Sequence, residues 1–456
     1  MGIQNFPAAL QPIIQQGYLE ASFEEALVSK LAYRSIADRV SIPNRVGETV
    51  TKTRAGLKPT VKASLAPSAN TNLDNGLASS TFAVEQYTLT MAMFADTIDL
   101  NMVTERVGIA SQFVQNAYVN GEQARRTLDE QARNALFAPY FGGNTRVLTT
   151  LSSAGTTLKV DDIRGFQAVP SLNGFSSATA AIAAGVQPTW QPVSATNPLN
   201  VSVGANPYVL VSAVADASNG SSAPSGISGT LTFASAVTVA DGTAGNAVVA
   251  ANASTIVRPN GRSTPAALQA TDTLTMAAVL NAVAVLRSNN VPTAEGGVYN
   301  CYLDPVSSRQ LFSDNDFRQL FQGVGLQAPF LQGELVSPFL GARFIPTTQA
   351  YVQAHPTLAG INIRRPIVVG QGALIEGDFD GLAEADVAPR DSVISIVDGV
   401  AMVTREPLDR LQQIIAQSWY WIGGFCAPSD VTASTSTIST ATNATYKRAV
   451  LIEHAG

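Results

Sequence analysis

Residues 302–350, YLDPVSSRQLFSDNDFRQLFQGVGLQAPFLQGELVSPFLGARFIPTTQA, decide how this chain is read. The stretch starts at the end of a strand-like VYNCYL, turns at Asp304-Pro305, and continues through short helical patterns around Leu311 and Phe317. An irregular ribbon follows, 323–347, whose only charges are Glu334 and Arg343. Its glycines and prolines rule out a regular helix or a long strand, yet its large apolar residues read as interior. Such a ribbon has to be packed by its own domain or by neighbours.

Composition points the same way. The 456 residues allow several cores, but only 14% are charged against 46% hydrophobic, where ordinary domains carry about 25% charged residues. A charge-poor surface suits a subunit covered by others. Lys and Arg number 28 against 34 Asp and Glu, a net charge of −6; tight nucleic-acid binders carry a basic excess, so that class is disfavoured. Cys301 and Cys426 lie too far apart in sequence for a metal knuckle and read as reduced packing thiols. The start MGIQNFPAALQPII lacks the pattern of a signal peptide, and no apolar run approaches a membrane span.

Outward from the ribbon, periodicity supplies the elements. QGYLEASFEEALVSKLAYRSIADRV, with Leu27, Leu31 and Ala37 in helical spacing, predicts an N-terminal helix or arm. RVGETVTKTRAGLKPT predicts a protruding basic hairpin carrying Arg45, Lys52, Arg54 and Lys58, with Lys62 just beyond. The spacing of Val103, Val107, Ala110, Val114, Ala117, Gly121, Ala124, Leu128 and Ala135 predicts one long helix, capped at Asn101, with a small-residue stripe suited to close packing. Residues 145–265 are Ala-, Ser-, Thr-, Gly- and Val-rich, with short alternating runs, and predict an inserted all-β module. TDTLTMAAVLNAVAVLRSNNVP predicts a helix ending at 289–292, and SVISIVDGVAMVTRE a hairpin closed at Asp398-Gly399.

The search for chemistry finds little. His355 and His454 have no motif partners and read as surface or loop residues; GxSxG, HExxH and GxxxxGK[ST] are absent. GVGLQA at Gly323 follows a helical pattern rather than a strand, and GQGALI at Gly370 has Ile375 where a dinucleotide loop needs a small residue. Glu376, Asp378, Asp380, Gly381 and Glu384 match part of a calcium loop, but Val387 stands at the bidentate position, so a solvated acidic loop is the better reading. No catalytic, cofactor or metal residue is assigned.

The order of segments resembles the tailed-bacteriophage major capsid proteins of the Hong Kong 97 fold. The features that carry it are the N-terminal arm, the basic hairpin, the long helix from Val103, and 302–350 with its DP turn, short helices and GE…LGARF step. The resemblance implies an α+β fold with an N-arm (1–40), an extended hairpin loop (41–90), a peripheral domain with a spine helix (91–144), an inserted β domain (145–265), an axial domain (266–390) and a return to the peripheral domain with a C-terminal strand (391–456). It implies a non-enzymatic shell subunit without cofactors, self-assembling into pentamers and hexamers around double-stranded DNA that is not read by sequence. Scaffolding, decoration and portal proteins are candidate partners, and the implied location is a virion assembled in the host cytoplasm without a membrane. Subunit contacts are expected at Arg45, Lys52, Arg54, Lys58, Gly323, Gly325, Pro329 and Glu334, with the acidic loop from Glu376 as one candidate counterpart of the basic hairpin. The alternatives are a surface-layer or adhesin protein, which is expected to carry an export signal, and a carbohydrate-active enzyme, which needs a carboxylate pair.

Overall fold

The computed structural model describes residues 32–42, 48–55, 84–101, 112–171, 189–216, 227–251, 253–262, 265–322, 341–355, 358–379, 394–405, 413–428 and 446–456. The arm before residue 32, positions 103–111 of the expected helix and 323–340 of the apolar ribbon lie outside them. The chain divides into two compact units. Met1–Thr51, Thr88–Arg133 and Leu374–Cys426 form one; Lys52–Tyr87, Asn134–Ala373 and Ala427–Gly456 form the other.

The first unit is built round the strand Ile414–Cys426. This strand pairs antiparallel with Ala92–Asn101 from Ile414↔Asn101 to Gly423↔Ala92, and also with Val400–Arg405 and Leu374–Phe379. Ala37–Ile42 runs parallel to Leu374–Phe379 at the sheet's edge. Gln417, Trp419, Trp421 and Gly423 alternate into the buried face, as a strand covered on one side requires. The cover is helix α1, Gln112–Phe141. Its Ala117, Ala124 and Leu128 pack on Met402, Trp419 and Trp421. Small helical residues let the backbone come close to the two large indoles. The Asp398-Gly399 hairpin forms as its sequence predicts, with both residues at positive φ (50° and 79°) and Val397 opposite Val400.

Three expectations change here. Asn101 does not cap a helix; it is the last residue of a strand, paired with Ile414. Ala37 is not helical but opens the strand Ala37–Ile42 after a single 3-10 turn at Arg34–Ile36. The end of α1 lies beyond Ala135, at Phe141, despite Pro139. Burial of Leu136, Phe137, Tyr140 and Phe141 compensates for the hydrogen bond that a proline removes.

The second unit holds a five-stranded sheet in the order Ile256–Val257, Ala449–Ile452, Ile367–Val369, Tyr299–Leu303, Ala342–Pro346. Helix α2, Met276–Ser288, is capped by Thr275, whose hydroxyl accepts from Ala278 N. Its buried Val279, Val283 and Leu286 share one core with Leu303, Phe344, Val368 and Ile452. Asp304 then caps α3, Pro305–Ser313, with Pro305 at the first position, where its missing N–H has no intrahelical role. Helix α4, Asn315–Gln322, follows.

The β module forms a six-stranded sheet in the order Asn144–Arg146, Ala247–Ala250, Leu199–Val203, Asn206–Ala215, Gly229–Val237, Gly155–Val160. Leu158, Phe166, Val203, Leu210, Phe233 and Val248 are among the buried residues of its own core. The last strand of the module's sheet in sequence, Ala247–Ala250, ends before the boundary expected at 265. Ile256–Val257 pairs parallel with Ala449–Ile452, outside the module's sheet, and Arg258 Nε donates to Glu453 at 2.7 Å. Residues 427–456, expected beside the peripheral domain, join the second unit through the same strand.

Two tests follow from this packing. Gly121 is buried on α1 between Ala117 and Ala124, so Gly121→Leu is expected to overpack the helix–sheet contact and cost about 1–3 kcal/mol in thermal or urea melts; a neutral result would contradict the contact. Ala250 N donates to Gly143 O at 2.8 Å, so the module's ends are adjacent. Replacing 145–250 by a short Gly/Ser linker should leave the remaining helices and strands folded by circular dichroism. Replacing 145–265 should not, because it removes a partner strand and a counter-charge of Glu453.

Candidate functional site

Of the expected contact residues, Lys52 and Arg54 fall among the described ones; Arg45, Lys58, Gly323, Gly325, Pro329 and Glu334 lie outside them. Lys52 and Arg54 sit on the strand Thr49–Ala55, whose partner is Val84–Thr90. The basic segment is thus one arm of a longer ribbon rather than a hairpin closed within 45–62. Lys52 is half-buried. Arg54 Nη2 donates to Gly372 O at 2.9 Å, next to Arg448, whose Nη1 donates to Gln371 O at 2.9 Å. Arg54 is therefore engaged by its own chain. The GQG turn it meets leads into the strand Leu374–Phe379 and not into a helix, which removes the nucleotide-loop reading.

The acidic stretch is changed more strongly. Glu376 is neither a calcium ligand nor free to meet another subunit's bases. Its carboxylate accepts from Arg34 Nε at 3.0 and 3.1 Å and from Nη2 at 2.6 Å. Arg34 Nη1 reaches Asp398 at 2.9 Å, and Arg39 Nη1 reaches the other Asp398 oxygen at 2.7 Å. Backbone N–H groups of Tyr33 and Arg34 donate to Asp129 on α1 at 2.7 and 3.1 Å. Burial pushes the Asp129 carboxyl up against the pull of those two donors. Arg34 thus joins three other segments, Glu376 and Asp398 through its guanidinium and Asp129 through its backbone N–H. Asp380, Gly381 and Glu384 lie outside the described residues. Among the described residues, no three His, Cys, Asp or Glu side chains are grouped to hold a metal.

Both histidines are buried, contrary to the surface reading. His355 Nε2 meets Leu268 O at 3.0 Å, and burial pushes its pKa down. His454 Nε2 meets Ser307 Oγ at 2.7 Å, and Ser307 Oγ also bonds Asp304. Serine, histidine and aspartate together suggest nucleophilic catalysis, but the roles are wrong. His454 Nδ1 faces Ala455 O, the carboxylate holds the serine and not the imidazole, and Ser307 and His454 are fully buried. The cluster ties the strand His454–Ala455 to α3. Sequence could not reveal this, because Ser307 and His454 stand 147 residues apart.

A second buried cluster surrounds Tyr351. Phe137 stacks on its ring, and Arg365 lies 5.0 Å above it and 4.5 Å above Phe141. Arg164 forks Asp162 and donates to the Tyr351 hydroxyl at 3.2 Å. Glu453 lies between Arg258 and Arg365; burial alone would push its carboxyl up, but the two guanidiniums hold it low. The Cys301 thiol is pushed up by burial, as expected of a packing thiol.

Burial lowers His454 from the ordinary 6.5 to about 4. Between those values the unfolded chain takes up a proton that the folded one refuses, so stability falls as pH drops from 6.5 to about 4. The full loss is about 3 kcal/mol. His454→Gln should flatten that part of the acid limb in urea melts at pH 7 and 4.5; an unchanged pH dependence would remove His454 from the explanation.

No family model and no curated protein matches the chain. Among solved structures it is similar to the capsid of Ralstonia phage GP4, at 10% identity and TM-score 0.48 over 94% of this chain and 90% of that one. It is similar also to the cyanophage Pam1 capsid, at 12% and 0.45 over 93% and 90%, and to the capsid of cyanophage P-SCSP1u, at 11% and 0.45 over 93% and 88%. With TM-scores below 0.5, the case for function rests on the chain's own residues.

Proposed function

We propose that this chain is the major capsid protein of a tailed bacteriophage. It is a structural subunit that self-assembles into pentamers and hexamers of an icosahedral head enclosing double-stranded DNA, within a virion assembled in the host cytoplasm. The observation that carries this reading is where the charges are. Only 14% of the chain is charged, and Arg34, Arg133, Arg164, Arg365, Asp162, Asp304, Glu376 and Glu453 are buried. Meanwhile Met93, Val119 and Val214 stand 67%, 51% and 61% exposed. A charge-poor chain that commits some of its charges to buried pairs and leaves some large apolar side chains exposed is suited to being covered by copies of itself.

An enzymatic reading finds no support among the described residues. The Ser307–His454 pair is enclosed, and Glu376, the first acid of the acidic cluster, is held by Arg34. No described helix is long and apolar enough to cross a membrane.

The basic ribbon remains the proposed inter-subunit contact, with Arg45, Lys52, Arg54 and Lys58 as its candidates and Gly323, Gly325, Pro329 and Glu334 on the apolar segment. Arg54 Nη2 also donates to Gly372 O of its own chain, so this residue is left unchanged in the test. Exposed ion pairs are worth about 0–1 kcal/mol each, but a closed shell repeats them many times. Arg45→Glu with Lys52→Glu is therefore expected to abolish shells in electron micrographs while the subunit's circular dichroism is unchanged. Intact shells that package DNA poorly would assign the ribbon to the genome instead.

A further inference from the structure

The sheet of the first unit has an open edge. The strand Ala92–Asn101 pairs with Ile414–Cys426 and with no other described strand. Its register runs unbroken from Ile414↔Asn101 to Gly423↔Ala92. Ala92, Met93, Ala95, Asp96, Thr97 and Asp99 are exposed. Open edges invite another strand, and natural sheets blunt them with lysine, proline, bulges or cover. This strand has no lysine, proline or bulge. Its blunting is acidic: Asp96 and Asp99 repel a second copy of the same edge and admit a basic strand. Asp96 accepts from Thr97 N at 2.8 Å and from Gln123 of α1. Asp99 has no side-chain partner among the described residues.

The basic ribbon offers a strand of the opposite kind. Thr49–Ala55 pairs with Val84–Thr90 and with no other described strand, so it too has a second edge open. Its exposed Thr49, Thr51 and Thr53 belong to a residue type that favours strands. Both of its charges are positive, Lys52 and Arg54. Arg54 is engaged by Gly372 O of its own chain, whereas Lys52 has no side-chain partner among the described residues.

We propose that the edge Ala92–Asn101 receives the strand Thr49–Ala55 of a second copy, extending the sheet from one subunit into the next, with Lys52 of one copy opposite Asp99 of the other. Main-chain hydrogen bonds give such strand addition its affinity, and the opposite charges select the partner. The two edges differ, so the contact is head-to-tail: each copy gives one strand and takes one, as closure of a ring requires. The inference rests on the capsid reading and names the surface that the basic ribbon meets.

The test is a charge exchange in the full-length chain, co-expressed with its assembly partners and viewed by electron microscopy. Lys52→Glu and Asp99→Lys should each abolish shells with circular dichroism unchanged, because each sets like charges opposite one another. The double variant restores the pair in reverse and should form shells again. Where a reversal unfolds the subunit, Lys52→Gln and Asp99→Asn replace it. Each should raise the concentration at which shells appear, and the two together should raise it no further than one alone. Shells in either reversal, additive effects of the two neutral variants, or a folded double reversal without shells would overturn the inference. Intact Lys52→Glu shells that package DNA poorly would give the ribbon to the genome, and an Asp99→Lys defect that Lys52→Glu does not relieve would give the edge to another protein. A wild-type chain without shells would contradict the capsid reading itself.

Discussion

A buried arginine must be answered, and the way this chain answers Arg34 sets the frame of its first unit. One guanidinium gathers Glu376 from an inner strand and Asp398 from a hairpin turn, while the Tyr33 and Arg34 backbone is held by Asp129 of α1. Removing one partner would strand the others in low dielectric, which is why such clusters constrain geometry more than they stabilise it. The helix, the strand Ala37–Ile42 and the hairpin are thereby fixed against the sheet built on Ile414–Cys426. In the second unit Arg365 plays the matching part for Glu453, Gln353 and two aromatic rings.

This use of charge bears on function. Ion pairs placed inside a charge-poor chain leave fewer charges to keep its surface solvated. Exposed Met93 on a strand and Val119 on α1 belong to such a surface. Lys159 with Asp216, by contrast, is an exposed pair on the module and contributes little. For a lone monomer this distribution is a liability; in a closed shell the same surface is covered.

Local periodicity made much of the fold legible. The turn at Asp398-Gly399, the Asp304-Pro305 helix start and the stripe through Ala117, Ala124 and Leu128 each encode their element within a few residues. What failed was non-local. Ile256–Val257 is a two-residue strand, too short for any periodic signal, and only its partner Leu451–Ile452 assigns it. Arg34 and Glu376 are 342 residues apart, so neither the acidic stretch nor the N-terminal segment could announce its role. Leu136 to Phe141 stay helical because aromatic burial outweighs a proline, a tertiary effect that propensity does not contain. The contact residues were the least legible, since a surface is defined by what covers it. Of that set only Lys52 and Arg54 are among the described residues, and Arg54 meets Gly372 of the same chain.

The most direct measurement of self-assembly is electron microscopy of the purified full-length chain, with its assembly partners co-expressed, over a range of concentrations. Closed shells, or rings of five and six subunits, are the expected result. A strictly monomeric protein at every concentration, with those partners present, would contradict the capsid reading.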